Sequence, residues 1–114
     1  MLVMISQPMN GKTYLDIQNE RAEVIEKLNK LHIDVLDTVF EEEAPVNSNQ
    51  GAYFLAKSID AMSRVDAVYF MKDWQNARGC RIERQVAKEY GIKILDTDFL
   101  YEEATVKRLI PEQN

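Results

Sequence analysis

The chain has 114 residues, 46% of them hydrophobic, and a formal net charge of −5, which suits one domain with a modest core and excludes a protein that coats nucleic acid through clustered Lys and Arg. No run of about 18 apolar residues marks a membrane span, and the N-terminal MLVMIS lacks the basic leader of a signal peptide. One cysteine, Cys80, and one histidine, His32, allow neither a disulfide pair nor a zinc-ligand spacing, so a reducing cytoplasm and no metal are expected.

The apolar run LVMIS at 2–6 reads as a buried strand. QPMNGKT follows as a loop punctuated by Pro8 and Gly11. From about Asp16 to Leu31 the period is helical: Val24, Ile25, Leu28 and Leu31 form one face, and Glu20, Glu23, Glu26, Lys27 and Lys30 the other. IDVLD at 33–37 is a second strand, and 39–50 a polar loop with Glu41, Glu42, Glu43 and Pro45. Ala52–Ser63 reads as a helix with Leu55, Ile59 and Met62 at i, i+4 and i+7. DAVYF at 66–70 is a third strand, MKDWQNA a loop, and 79–90 a helix with Ile82, Val86 and Tyr90 as its apolar stripe, stopped by Gly91. IKIL at 92–95 is a fourth strand; an amphipathic helix follows over roughly 98–109, and Pro111 opens a polar tail at 111–114. No internal repeat breaks this single domain of 1–110.

Strands and helices alternate throughout, which calls for right-handed βαβ crossovers and an α/β three-layer sandwich, flavodoxin-like or Rossmann-like, on a parallel four-stranded sheet. The natural strand order is 2-1-3-4, with a switch point between strands 1 and 3, where ligands bind beyond the carboxyl ends of the strands. QPMNGKT and MKDWQNARG are the loops there.

Three constellations stand at this crevice. SQPMNGKT is similar to a phosphate-cradling P-loop, since Gly11, Lys12 and Thr13 fit, but Ser6 occupies the first glycine position and Pro8 removes a backbone donor. The chain is also short for a P-loop NTPase, and an ordinary βα turn or a ligand-binding loop of another kind fits the stretch better. Gly79-Cys80-Arg81-Ile82-Glu83 places Glu83 about 100° around the helix from Ile82, on a face shared with the small residues Gly79, Cys80 and Ala87. That leaves room for a ligand against the helix; alternatively, Glu83 only complements the positive helix end. Asp66 opens the third strand, with Ser58 and Asp60 in the preceding helix, where acids also mark simple boundaries. Cys80 reads as a packing residue, and Trp74 either stacks on a base or anchors its loop.

ISQPMNG after the first strand, with VDAVYFMKDWQNARGCRIERQVAKEYGIKIL, resembles the nucleoside 2-deoxyribosyltransferase-like proteins over about residues 2–96. The likeness is closest to a group of short members of largely unassigned function. The resemblance implies a flavodoxin-like fold and glycosyl transfer at an N-glycosidic bond through a covalent glycosyl-enzyme. It implies Glu83 as the nucleophile and Asp66 as the acid that binds or protonates the substrate. It also implies Pro8, Met9 and Gly11 as the loop over the sugar, Gly79 as the point of close approach to the sugar's 5′ group, and a homodimer or larger homo-oligomer. Four positions depart from the family's pattern: Gln7 stands for Gly, Met4 for Tyr, Ser58 for Asp, and Ala77 for Ser.

The expectation is a nucleoside or nucleotide N-glycosyl hydrolase or transferase using no cofactor, neither metal nor organic. Glu83 and Asp66 are its candidate catalytic residues. Ser6, Gln7, Pro8, Met9, Gly11, Lys12, Ser58, Trp74, Arg78 and Gly79 are the candidate substrate contacts, with Lys12, Arg78 or Arg81 meeting a phosphate. The alternative is a protein that binds a nucleotide-derived ligand without turning it over.

Overall fold

The computed structural model describes residues 1–38 and 42–100. Its elements are β1 (Leu2–Ser6), α1 (Tyr14–Lys30), β2 (Asp34–Leu36), α2 (Gln50–Met62), β3 (Ala67–Phe70), α3 (Arg78–Glu89) and β4 (Lys93–Leu95). The strands form one parallel sheet in the order β2-β1-β3-β4, as the alternation of elements predicts. The loop expected before α3 holds a 3-10 turn, Trp74–Asn76. The chain is helical again at 97–100; the rest of the expected last helix, the tail and Glu41 lie outside the described residues. Among the described residues, no helix is long and apolar enough to cross a membrane.

Alternation along the strands builds two cores. Val3, Ile5, Ala67 and Tyr69 face α1, where Leu28, Val24 and Ile25 pack on them. Met4, Val68 and Phe70 face the other way, against Ile59 and Met62 of α2 and Val86 and Ala87 of α3. The topology requires this division. The step from β1 to β2 runs one way across the sheet, and the steps to β3 and β4 run the other way. Right-handed crossovers therefore put α1 on one face and α2 and α3 on the opposite face.

Local signals set the helix starts at the carboxyl edge. The Thr13 hydroxyl accepts from the Asp16 N–H at 3.1 Å, and the Asp16 carboxylate accepts from the Thr13 N–H at 3.4 Å, a capping box that opens α1. The Asn49 side chain accepts from the Ala52 N–H at 3.0 Å and opens α2. At Ala77, which precedes α3, no side-chain cap is made.

Candidate active site at the carboxyl edge of the sheet

A cleft of about 710 Å³ lies beyond the carboxyl ends of the strands, within the size range of small-molecule sites. Its walls come from the β1–α1 loop, the first turns of α1, the amino-terminal half of α2, and residues 77–83. Glu83 lines it and is 8% exposed. The carboxyl sits on the buried face of α3 with Cys80 and Ala87, the small-residue face read from the sequence. The stripe expected on this helix is corrected: only Val86 packs on the core, whereas Ile82 is 37% and Tyr90 80% exposed. Small residues let α3 approach the sheet more closely than the bulky ones would, and Ile82 is left to line the cleft.

Burial pushes the Glu83 carboxyl up to about 7, because removing water disfavours the charged form. Ser6 Oγ, fully buried, lies beside Glu83 and Cys80 and favours the ionised form of each, although it makes no hydrogen bond of full geometry. Burial raises the Cys80 thiol above its ordinary value, which suits a packing residue and not a nucleophile.

The helices following parallel strands all direct their amino ends to this edge. Those of α2 and α3 border the cleft, and their unpaired amides give it positive character despite the net charge of the chain. The exposed Arg78 adds to it and makes no ion pair among the described residues. A side chain at Gly51 would meet Arg78 Nη2 at 3.9 Å, so the guanidinium reaches toward the first turn of α2. A Cβ built on Gly79 meets nothing within 4 Å.

Of the candidate site residues, the structure brings together Glu83, Gln7, Met9, Ser58, Arg78 and Gly79 at the cleft. Gln7 Nε2 donates to the Ile17 carbonyl at 2.9 Å and ties the β1–α1 loop to α1. Pro8 is buried without lining the cleft, and Gly11 holds a turn at φ 75°. Lys12 pairs with Glu20 at 2.8 Å. The residues of the P-loop-like stretch are thus accounted for by a turn, an ion pair and a cap. Arg81 Nη1 donates to the Gln75 carbonyl at 2.8 Å. Trp74 is a loop anchor: it packs edge-on to Phe70, and the Arg84 guanidinium lies over its ring at 4.1 Å.

Asp66 is the main correction. Its carboxylate accepts from the Leu2 N–H at 2.7 Å, at the amino edge of the sheet. β3 runs from there toward the cleft, so an acid that opens this strand stands a strand's length, roughly 13 Å, from the carboxyl edge. Glu83 is the single carboxyl lining the cleft among the described residues.

Sequence reading missed Asn10, Tyr14, Thr38, Asn49 and Phe54, which also line the cleft. Asn49 carried a usable signal, a cap residue ahead of a helix that must begin at this edge. Among the described residues, no group of three or more His, Cys, Asp or Glu side chains could hold a metal ion.

A family model described as "Domain of unknown function (DUF4406)" matches residues 1–96, and the chain belongs to that family. No curated protein and no solved structure gives a significant match.

Proposed function

We propose that this member of the DUF4406 family is a nucleoside or nucleotide N-glycosyl hydrolase or deoxyribosyltransferase with Glu83 as its nucleophile. The observation that carries the reading is a carboxyl more than nine-tenths buried, lining a sugar-sized cleft at the switch point of the sheet. The likeness of ISQPMNG and of the Gly79–Glu83 stretch to nucleoside 2-deoxyribosyltransferase-like proteins supports it.

In the proposed reaction the Glu83 carboxylate attacks the anomeric carbon of the sugar. The C–N bond breaks, its electron pair leaves on the base nitrogen, and the base takes a proton from solvent. The glycosyl ester on Glu83 is then attacked at the same carbon by water or by a second base. The incoming nucleophile gives up its proton, and the carboxylate is restored with net retention. A carboxyl titrating near 7 is poised for this cycle: enough is ionised to attack, and a poorly solvated carboxylate is a stronger nucleophile than one in water. The amino end of α3, Gly79 and Arg78 suit the sugar's 5′ end or a phosphate on it.

The test is to incubate the protein with deoxynucleosides and their 5′-monophosphates and to measure free base chromatographically. Release by the wild type and its loss in Glu83→Ala is the expected result. No release, or equal release by both, rejects the catalytic reading.

A second reading, capture of a nucleotide-derived ligand without chemistry, is favoured by the position of Asp66 at the opposite edge of the sheet, since Glu83 then has no second acid beside it in the cleft among the described residues. Calorimetry distinguishes the two: tight binding with the ligand recovered unchanged supports capture.

A further inference from the structure

Ser6 ends β1, the strand at the switch point, and is 1% exposed. Alternation along β1 sends its side chain to the same face as Met4, the face on which α3 packs. What meets it there is the small-residue face of α3, with Cys80 and Glu83. The Ser6 hydroxyl makes no hydrogen bond of full geometry. A buried hydroxyl without a partner is costly, and alanine would fill the same place without that cost. What serine adds is one O–H beside a carboxyl. Ser6 does not line the cleft, whereas Glu83 does, so the hydroxyl stands on the sheet side of the carboxyl, away from the open hollow.

Two groups can take that proton. Burial keeps the Cys80 thiol protonated, so the acceptor that gains charge near neutral pH is Glu83. The charged groups nearby are few. Lys12, from the loop after β1, and Arg81, on α3, act on Cys80, whereas burial and Ser6 are what move Glu83. Apart from Glu83, Arg78 is the one charged residue lining the cleft among the described residues, and α2 presents only neutral side chains to it.

We propose that Ser6 is a positioning residue for Glu83: its O–H donates to one oxygen of the ionised carboxylate from the sheet side and leaves the other oxygen facing the cleft as the attacking atom. This rests on Glu83 being the nucleophile, and it turns Ser6 from the expected substrate contact into a support. A hydroxyl donating to a carboxylate is a charge-assisted bond, among the stronger kinds, and a carboxylate held in one rotamer attacks from a fixed place.

The experiment follows the Glu83 carboxyl carbon of the 13C-labelled full chain against pH, in the wild type and in Ser6→Ala. Expected is a midpoint higher by about one pH unit in the variant, which has lost a donor to the charged form. Above both midpoints, kcat for base release should fall about tenfold in Ser6→Ala with KM unchanged. If Ser6→Ala does not fold, the Ser6 Cβ resonance of the wild type provides the test: it moves with the Glu83 midpoint and stays flat in Glu83→Gln. A Glu83 midpoint that is unchanged or lower in Ser6→Ala, or a Ser6 Cβ that does not follow Glu83, overturns the assignment. A raised midpoint with an undiminished kcat also overturns it, since the hydroxyl would then tune the carboxyl without holding it. Absence of base release by the wild type rejects the reaction and leaves the titration to decide on Ser6, so the two readings fail separately.

Discussion

Arg84 Nη1 donates to Asp96 Oδ1 at 2.7 Å and Nη2 to Oδ2 at 3.2 Å, joining the helix that carries Glu83 to the end of β4. The same guanidinium lies over Trp74 at 4.1 Å and Phe70 at 5.0 Å. A fork on a carboxylate with aromatic faces beneath it is a geometry lysine cannot reproduce. Arg84→Lys should lower stability by about 1 kcal/mol and Arg84→Ala by about 2 kcal/mol, read from urea unfolding midpoints. An Arg84→Lys variant as stable as the wild type, with the loss confined to Arg84→Ala, would show that only the charge matters.

Glu83 gives stability a pH dependence of definite sign. Its carboxyl is raised from 4.5 to about 7 in the folded chain, so between those values the native state holds a proton that the unfolded state has released. Stability therefore falls as pH rises through this window, by about 3 kcal/mol in all. Glu83→Gln removes this contribution. The difference in unfolding free energy between variant and wild type should grow in favour of the variant from pH 4.5 to 7 and then level off. A difference independent of pH would place the carboxyl in water.

The same titration governs the proposed chemistry. Attack requires the carboxylate, so kcat/KM for base release should rise with pH and reach a plateau above about 7. A rate already level from pH 5 upward would mean that the attacking group ionises as an ordinary carboxylate.

Asp66 is expected to be silent in the reaction. Asp66→Asn should leave base release or ligand binding at the wild-type level and cost about 1 kcal/mol through the weakened bond to the Leu2 N–H. Loss of activity without loss of stability would return Asp66 to the site.

Gly79 tests the cleft by filling it. Because a Cβ there meets nothing within 4 Å, Gly79→Ala should fold and gain about 0.5–1 kcal/mol from helix propensity. Gly79→Leu should keep the fold and lose ligand affinity, measured by calorimetry. Unchanged affinity would move the ligand away from the amino end of α3.

The sheet order was legible in the sequence because alternating elements leave few right-handed topologies, and the reversal between the first and third strands follows from them. Glu83 was legible because its helical face carries Cys80 and Ala87, small enough to seat it at the sheet. Asp66 was misplaced for a reason visible in the chain itself: a residue that opens a parallel strand lies at the edge opposite its loops, and family likeness outweighed strand direction. The α3 stripe failed because hydrophobicity was counted without size, and Ala87 and Cys80 pack where Ile82 and Tyr90 do not.

The central position of β1 bears on how the molecule comes to exist. This strand precedes the other three along the chain, yet it borders β3, and the Leu2–Asp66 bond closes a separation of 64 residues. Contacts so distant along the chain form slowly. During synthesis the first two strands and their helix can pair early, but the hollow beside Glu83 has no far wall until the second half has docked. A ligand of the proposed kind would therefore meet a finished domain and, by binding it, oppose the separation of its two halves.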